Sequence, residues 1–373
     1  MSTGIAPGIP PRTRAQHEGG IAGWLLDGPA QIGTGRHAGA VAGGIDGEGR
    51  ATYGYPEITG YYLQWLAWRC RGNDAARAAA PRAAAAQRWL AAWLALDPPL
   101  PMRLHLEDSV DDWRNRAVFC FDVAMVARGL AAAADAGLLD PDPAVVAGLS
   151  NALEPMIAAD GLFDAFAPIA ATLPERWSTR RGGFLAKAGA GVAAAAALPG
   201  MAARVVAAAE ATWLASLASA FAAPHDELHP QLYAFEGILS RPRHPRTIAA
   251  LPRLAAAFDV LLALRTRRGA LPETRRTHGP DAGPERIDVI AQTLRVGYLL
   301  QRSFPQWMPD RVALARLRHL LRGQVRADGS VPFAIDAPVP GSSVWAAMFA
   351  DQAIAMAYGA SPADGDATDP LLV

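Results

Sequence analysis

The chain has 373 residues, 51% of them hydrophobic, and 35 Lys and Arg balance 35 Asp and Glu. That length allows one large core or two ordinary ones, and a neutral chain lacks the basic footprint of a nucleic-acid binder, so no nucleic-acid partner is expected. Arg-rich patches at 241–246 and 265–276 are local; they read mainly as solvated loops, with an anionic ligand site as the alternative. The two cysteines, Cys70 and Cys120, sit in apolar contexts with no C-x-x-C spacing, which suits buried thiols rather than zinc ligands or a disulfide framework.

Residues 1–18 are rich in Pro and Gly and carry no apolar signal-peptide core, so they read as a flexible lead-in. The stretch from Gly43 to Leu66 comes next and is the richest in chemistry. A glycine-rich loop carrying Asp46 leads through Tyr53, Tyr55 and Pro56 to Glu57 at the start of an aromatic helix. Acidic groups beside aromatic faces suit a polar, ring-shaped ligand such as a sugar. Ala/Leu-rich helical stretches then recur at 58–71, 76–97, 113–137, 143–158, 186–198, 201–222, 229–240, 246–266, 284–303, 309–325 and 342–358, while strand alternation never persists. Stops are legible at Gly72, Pro98-Pro99, Pro224, Gly269 and Gly323. None of the apolar runs is long and clean enough to span a membrane; residues 188–203 are broken by Pro199, and a soluble cytoplasmic protein is the default expectation. Residues 361–373 read as a loose tail.

Many of these helices are apolar around most of their circumference, so each must be buried on several sides. Short glycine loops also recur after helices, as Asp160–Phe163, Gly182–Leu185, Gly269–Glu273 and Asp328–Phe333. Helix pairs joined by such turns close into a ring, and the helices number one short of the twelve of an (α/α)6 toroid. The expectation is an all-α fold over residues 19–360, one domain formed as a double ring of helical hairpins with a ligand funnel at one rim.

Three segments in order, GGIDGEG…YGYPEITGYYLQWL, NRAVFCFDVAMVARGL and QVRADGSVPF, resemble bacterial (α/α)-toroid proteins associated with surface-polysaccharide synthesis, with six-hairpin glycosidases and terpenoid-cyclase-like toroids as wider relatives. The resemblance implies a saccharide context more than a particular reaction. The chain departs from the pattern at FDVAM, where Asp122 matches but its polar neighbours do not. The cyclase D-x-D-D signature is missing; the acidic string from Glu107 to Asp112 has the wrong spacing and reads as the cap of a helix near Trp113.

Several polar residues stand out on apolar helices. His229, Tyr233 and Glu236 share one helix face, as do Asp288, Gln292 and Arg295. Each stripe reads either as a funnel wall or as a structural cluster between helices. Asp122 lies in an apolar helix and needs a partner, for which Arg114 or Arg116 is the bland candidate. Trp345 and Asp351 mark the last helix, and Asp328 reads as a turn residue. His225, Glu227 and His229 offer only weak metal spacing, and no G-x-G-x-x-G, P-loop, G-x-S-x-G or H-E-x-x-H string occurs, so neither metal nor cofactor is expected.

The leading expectation is an enzyme of surface-polysaccharide metabolism that acts on a glycan through carboxylates, as a hydrolase or a lyase/epimerase. Glu57, Glu236 and Asp288 are the acid/base candidates. Tyr55, Tyr233 and Trp345 serve as platforms, Arg286 and His229 orient the ligand, and Asp46, Tyr53, Asp122, Gln292 and Asp351 complete the saccharide-binding set. For hydrolysis, carboxyls about 5 Å apart imply retention and about 6.5–9.5 Å inversion. The alternative is a non-catalytic glycan-binding or scaffolding protein in the same funnel. Apolar outer helices leave room for a homodimer, although core burial explains them equally.

Overall fold

The computed structural model describes residues 14–70, 75–97, 100–107, 110–167, 172–221, 226–275, 283–337 and 340–358. The lead-in up to residue 13, the C-terminal tail, Gly72, Pro98-Pro99, Asp108, Ser109, Pro224, His225 and Arg276 lie outside the described residues. The helices are α1 (Arg14–Asp27), α2 (Pro56–Cys70), α3 (Ala75–Leu94), α4 (Cys120–Asp135), α5 (Pro143–Leu153), α6 (Leu185–Ala194), α7 (Ala203–Ser219), α8 (Leu228–Leu239), α9 (Pro245–Leu262), α10 (Ile287–Ser303), α11 (Arg311–Gly323) and α12 (Val344–Ala357).

Helix α1 is the twelfth helix that the sequence reading lacked, because it begins inside the segment taken as lead-in. The helix expected over 113–137 is two elements. Asp112 caps a 3-10 turn at Trp113–Arg116 by accepting from the Arg114 N–H, and an extended Ala117 separates that turn from α4. Elsewhere the expected helices are present with ends shifted by a few residues, as is usual for boundaries.

The even-numbered helices pack in succession, α2 on α4, α4 on α6, α6 on α8, α8 on α10, α10 on α12, and α12 back on α2. The odd-numbered helices pack outside them: α3 on α2, α5 on α4, α7 on α6, α9 on α8 and α10, α11 on α10 and α12, and α1 on α12. This is a double ring, an (α/α)6 toroid. The inner helices α2, α4, α8, α10 and α12 are buried around nearly their whole circumference, as evenly apolar helices require. Outer helices show polar faces; α9 leaves Ile248 and Val260 exposed, and α11 leaves Val312 exposed.

Glycine sets the tightest crossing. A Cβ on Gly60 would lie 2.5 Å from the Met125 carbonyl oxygen, and one on Gly129 would lie 2.4 Å from that of Gly60, so α2 and α4 meet backbone to backbone. Asp351 ties the ring at its seam, accepting from Trp65 Nε1 of α2 at 2.9 Å. Both cysteines are buried free thiols.

The glycine loops are one recurring turn. Ala158–Leu162, Thr266–Ala270 and Arg326–Ser330 each close with the same pair of backbone hydrogen bonds, around Gly161, Gly269 and Gly329 at positive φ. Asp46–Arg50 closes in the same way around Gly49. Gly182–Leu185 does not belong to this set; it forms the turn that opens α6.

Candidate active site

The residues that open the inner helices meet at one rim. Short pairings hold them there: β1 (Gly44–Asp46) runs antiparallel to β4 (Gly341–Ser343), and β2 (Tyr53–Gly54) to β3 (Leu104–His105). Single bridges add Phe119 to Phe166, Glu227 to Thr274 and Arg286 to Ala334, each placed just before α4, α8 or α10. These starts surround a cavity of about 360 Å³. Glu57 of α2, Asp122 of α4, His229 of α8, Arg286 before α10 and Trp345 of α12 all line it. Helix N-termini carry partial positive charge, so their convergence favours negative charge or oxygen-rich groups in the cavity.

Glu57 and Asp122 are only 8% and 6% exposed. Among the described residues no salt bridge reaches either carboxyl. Arg114 and Arg116, the partners expected for Asp122, are engaged instead with Asp112 and Asp111. Burial pushes the Glu57 carboxyl above its ordinary range, and the Tyr55 hydroxyl, Lys187, Arg103 and Tyr233 only partly offset it. Burial and then the neighbouring Glu57 charge push Asp122 well above its ordinary range, with Arg103 and Tyr55 opposing. The Glu57 charge thus adds to burial in disfavouring ionisation of Asp122.

Aromatic rings form much of the remaining wall. Tyr53 and Tyr55 stand with ring centres 6.0 Å apart, and Trp113, Trp177 and Trp345 come from three different segments. The Arg103 guanidinium lies 4.8 Å from the Tyr53 ring centre and 5.2 Å from that of Tyr55. Among the described residues its nearest carboxylate is Asp112 at 3.8 Å, and its buried Nε has no hydrogen-bond partner. Arg286, by contrast, is held by Asp288 and Glu273.

Other expected site residues sit behind the wall. Glu236 is fully buried, bound by Lys187 Nζ at 2.7 Å and by Arg295, and does not reach the cavity. Burial opposes its charge, but Arg295 and Lys187 outweigh burial and hold the carboxyl below its ordinary value. Asp288 is also fully buried; it takes Arg286 and the Trp345 Nε1–H at 3.0 Å, and Arg286 brings its pKa down to about 2 against the cost of burial. Gln292 is fully buried between His229 and Glu236. Asp351 of α12 is fully buried and accepts from Trp65 of α2, as described above, and Asp46 shapes an exposed turn by accepting from the Glu48 and Arg50 N–H groups. Placement in the cavity wall is therefore corrected for Glu236, Asp288, Gln292 and Asp351, which lie behind it, and for Asp46, which lies in an exposed turn. Tyr53, Tyr55, Glu57, Asp122, His229, Tyr233, Arg286 and Trp345 do line it.

The two polar stripes of α8 and α10 face each other, and so each supplies the partner the other needs. Sequence reasoning missed Arg103, Trp113, Trp177 and Glu273 in the wall and Lys187 behind it. Lys187 carried a usable signal, a lone charge in the Ala/Gly stretch of α6; the others lie in loops with no periodic signature. Glu227, considered with a metal, is a wall residue. Among the described residues no three His, Cys, Asp or Glu side chains are grouped to hold a metal ion, and no helix is long and apolar enough to cross a membrane.

No protein-family model matches the chain, and no curated protein matches it in sequence. Solved structures match in fold over nearly the whole length. A D-mannose isomerase is 12% identical, with a TM-score of 0.67 over 91% of this chain and 96% of its own. A glycosidase solved in complex with glucose is 13% identical, with a TM-score of 0.61 over 93% and 98%. An unsaturated glucuronyl hydrolase specific for heparin is 10% identical, with a TM-score of 0.59 over 92% and 97%. At such identity these likenesses establish the toroid, and nothing finer.

Proposed function

We propose that this chain is a carbohydrate-active enzyme that acts on a glycan by carboxylate acid/base chemistry, with Glu57 and Asp122 as the working pair. The observation that carries the reading is two nearly buried carboxyls, unpaired with any cation within salt-bridge distance among the described residues, inside an aromatic-walled cavity. Cores do not retain such a pair for stability, since each charge is costly to bury. Perturbed carboxyls in a cleft mark proton-transfer sites. Asp122, the carboxyl pushed further toward its acid form, gives its proton to a leaving glycosidic oxygen; Glu57 takes one from water or from the carbon beside a sugar carboxylate. Tyr53, Tyr55, Trp113 and Trp177 supply faces for sugar rings. Arg103 supplies a cation for a uronic acid carboxylate. Sugar-acting and glucose-bound structural neighbours support a saccharide, and the surface-polysaccharide setting rests on the motif resemblance alone.

The test is a thermal-shift and crystal-soak screen with uronic acids and oligosaccharides, followed by turnover assays on whatever binds. A sugar in contact with Glu57 or Asp122, turned over by the native chain and not by Glu57→Gln, supports the enzyme. Sugar binding without turnover that survives Glu57→Gln and Asp122→Asn would instead make this a glycan-binding protein.

A further inference from the structure

Among the described residues His229 is the one imidazole in the cavity wall, and its ring is wired into the layer behind it. Glu236 is an acceptor only, because Lys187 and Arg295 hold it ionised. The Gln292 amide lies 3.2 Å from Glu236 through Nε2, and a carboxylate dictates that the amide turn its N–H toward it. The amide oxygen is thereby aimed at His229 Nδ1, 2.6 Å away. An amide oxygen accepts only, so Nδ1 must carry the proton. Asp288, ionised against Arg286, lies 3.5 Å from the same nitrogen and reinforces that assignment. Burial and the nearby Arg286 bring the His229 pKa down to about 4, so near neutral pH the ring holds one proton only.

We propose that Glu236 and Gln292 are positioning residues that lock His229 as its Nδ1–H tautomer, so that Nε2 presents a bare lone pair to the ligand as a fixed hydrogen-bond acceptor. The wall around it carries both signs, Arg103, Arg114, Arg176 and Arg286 against Glu57, Asp122, Glu227 and Glu273. A fixed acceptor at His229 selects a hydroxyl or N–H group at that point and rejects a carboxylate or an O-substituted carbon. A uronic acid would therefore bind with its carboxylate toward Arg103 and a free hydroxyl on His229. The identity of the ligand rests on the saccharide reading; the tautomer does not, being a property of the unliganded protein.

The test is two-bond ¹H–¹⁵N correlation on full-length protein labelled at histidine, near neutral pH, with His229 assigned by loss of its signals in His229→Asn. A single Nδ1–H pattern with an unprotonated Nε2 is expected. In Gln292→Leu the Nδ1 proton should move upfield as its short hydrogen bond is lost. An Nε2–H form in the native protein overturns the proposal whether or not Gln292→Leu folds. Access to the cavity is read separately by diethyl pyrocarbonate labelling and peptide mass spectrometry: ethoxycarbonylation of His229 is expected, and a ring inert under conditions that modify exposed His319 would show that Nε2 does not face the cavity. If the tautomer is as stated but no sugar binds, the function reading falls and this one stands.

Discussion

Glu57 and Asp122 in the cavity wall and Glu236 and Asp288 behind it are all nearly shielded from water, yet burial has opposite outcomes for them. The wall pair is pushed up toward the neutral form. The inner pair stays ionised below the ordinary range. Burial depth does not explain the difference, since the inner pair is the more buried. Counter-charges do: Lys187 and Arg295 reach Glu236, and Arg286 reaches Asp288. Within one ring, the same side-chain chemistry stays ionised where a cation is in contact and is pushed toward its acid form where the cation is only nearby.

That contrast can be broken at either end. The largest effect expected is on turnover: Asp122→Asn or Glu57→Gln should reduce it by roughly 10²–10⁴-fold, the usual worth of a general acid or base, while the protein folds normally. Full activity in both amides would remove the wall pair from the chemistry. The inner layer should answer in stability instead. Glu236→Ala leaves Arg295 buried without its anion and removes the partner of Lys187, whose pKa burial already brings down to about 7; it should cost about 3–5 kcal/mol, measured by denaturant unfolding. A loss below about 1 kcal/mol would show that the ions are not mutually dependent.

Arg103→Gln should come next in size. Removing one charge-assisted contact weakens binding of a uronic acid by about 1.5–3 kcal/mol and should leave binding of the neutral sugar nearly unchanged, which calorimetry on both would show. Equal losses for the two sugars would place the carboxylate elsewhere.

The smallest effect is the pH slope of stability. Asp122 keeps its proton in the folded state at pH values where the unfolded chain has lost it. Its contribution to stability therefore falls as pH rises from about 4 toward its raised folded value, and Asp122→Asn should flatten that fall and be neutral or stabilising above it. The wall imidazole runs the other way. His229 is neutral when folded down to about 4, whereas the unfolded ring protonates below about 6.5, so stability falls as pH drops through that window. His229→Gln should reduce the acid-side loss, read as melting temperature against pH.

Much of the fold was legible in the residues. Even apolarity of the inner helices required burial on several sides, and recurrent glycine turns required hairpins; together these led to the toroid. Helix α1 was hidden because its Gly/Ala-rich sequence has no clear apolar stripe, and it is identified by packing on α12. At the site, Glu57, Tyr53 and Tyr55 were readable because they cluster at one helix start. Asp122 was readable as a charge out of place, but the candidate partners Arg114 and Arg116 form their salt bridges with adjacent Asp112 and Asp111 instead.

The periodicity of this sequence determined what must be buried, and its turn chemistry determined where the chain reverses. Which carboxyls ionise was decided only by the closed ring. Glu236 meets Lys187 and Arg295 from two other helices, at sequence separations of 49 and 59, and no local pattern encodes that meeting. Charge–charge energies depend on distance and on the loss of water, and both are set when the sixth inner helix closes against the first.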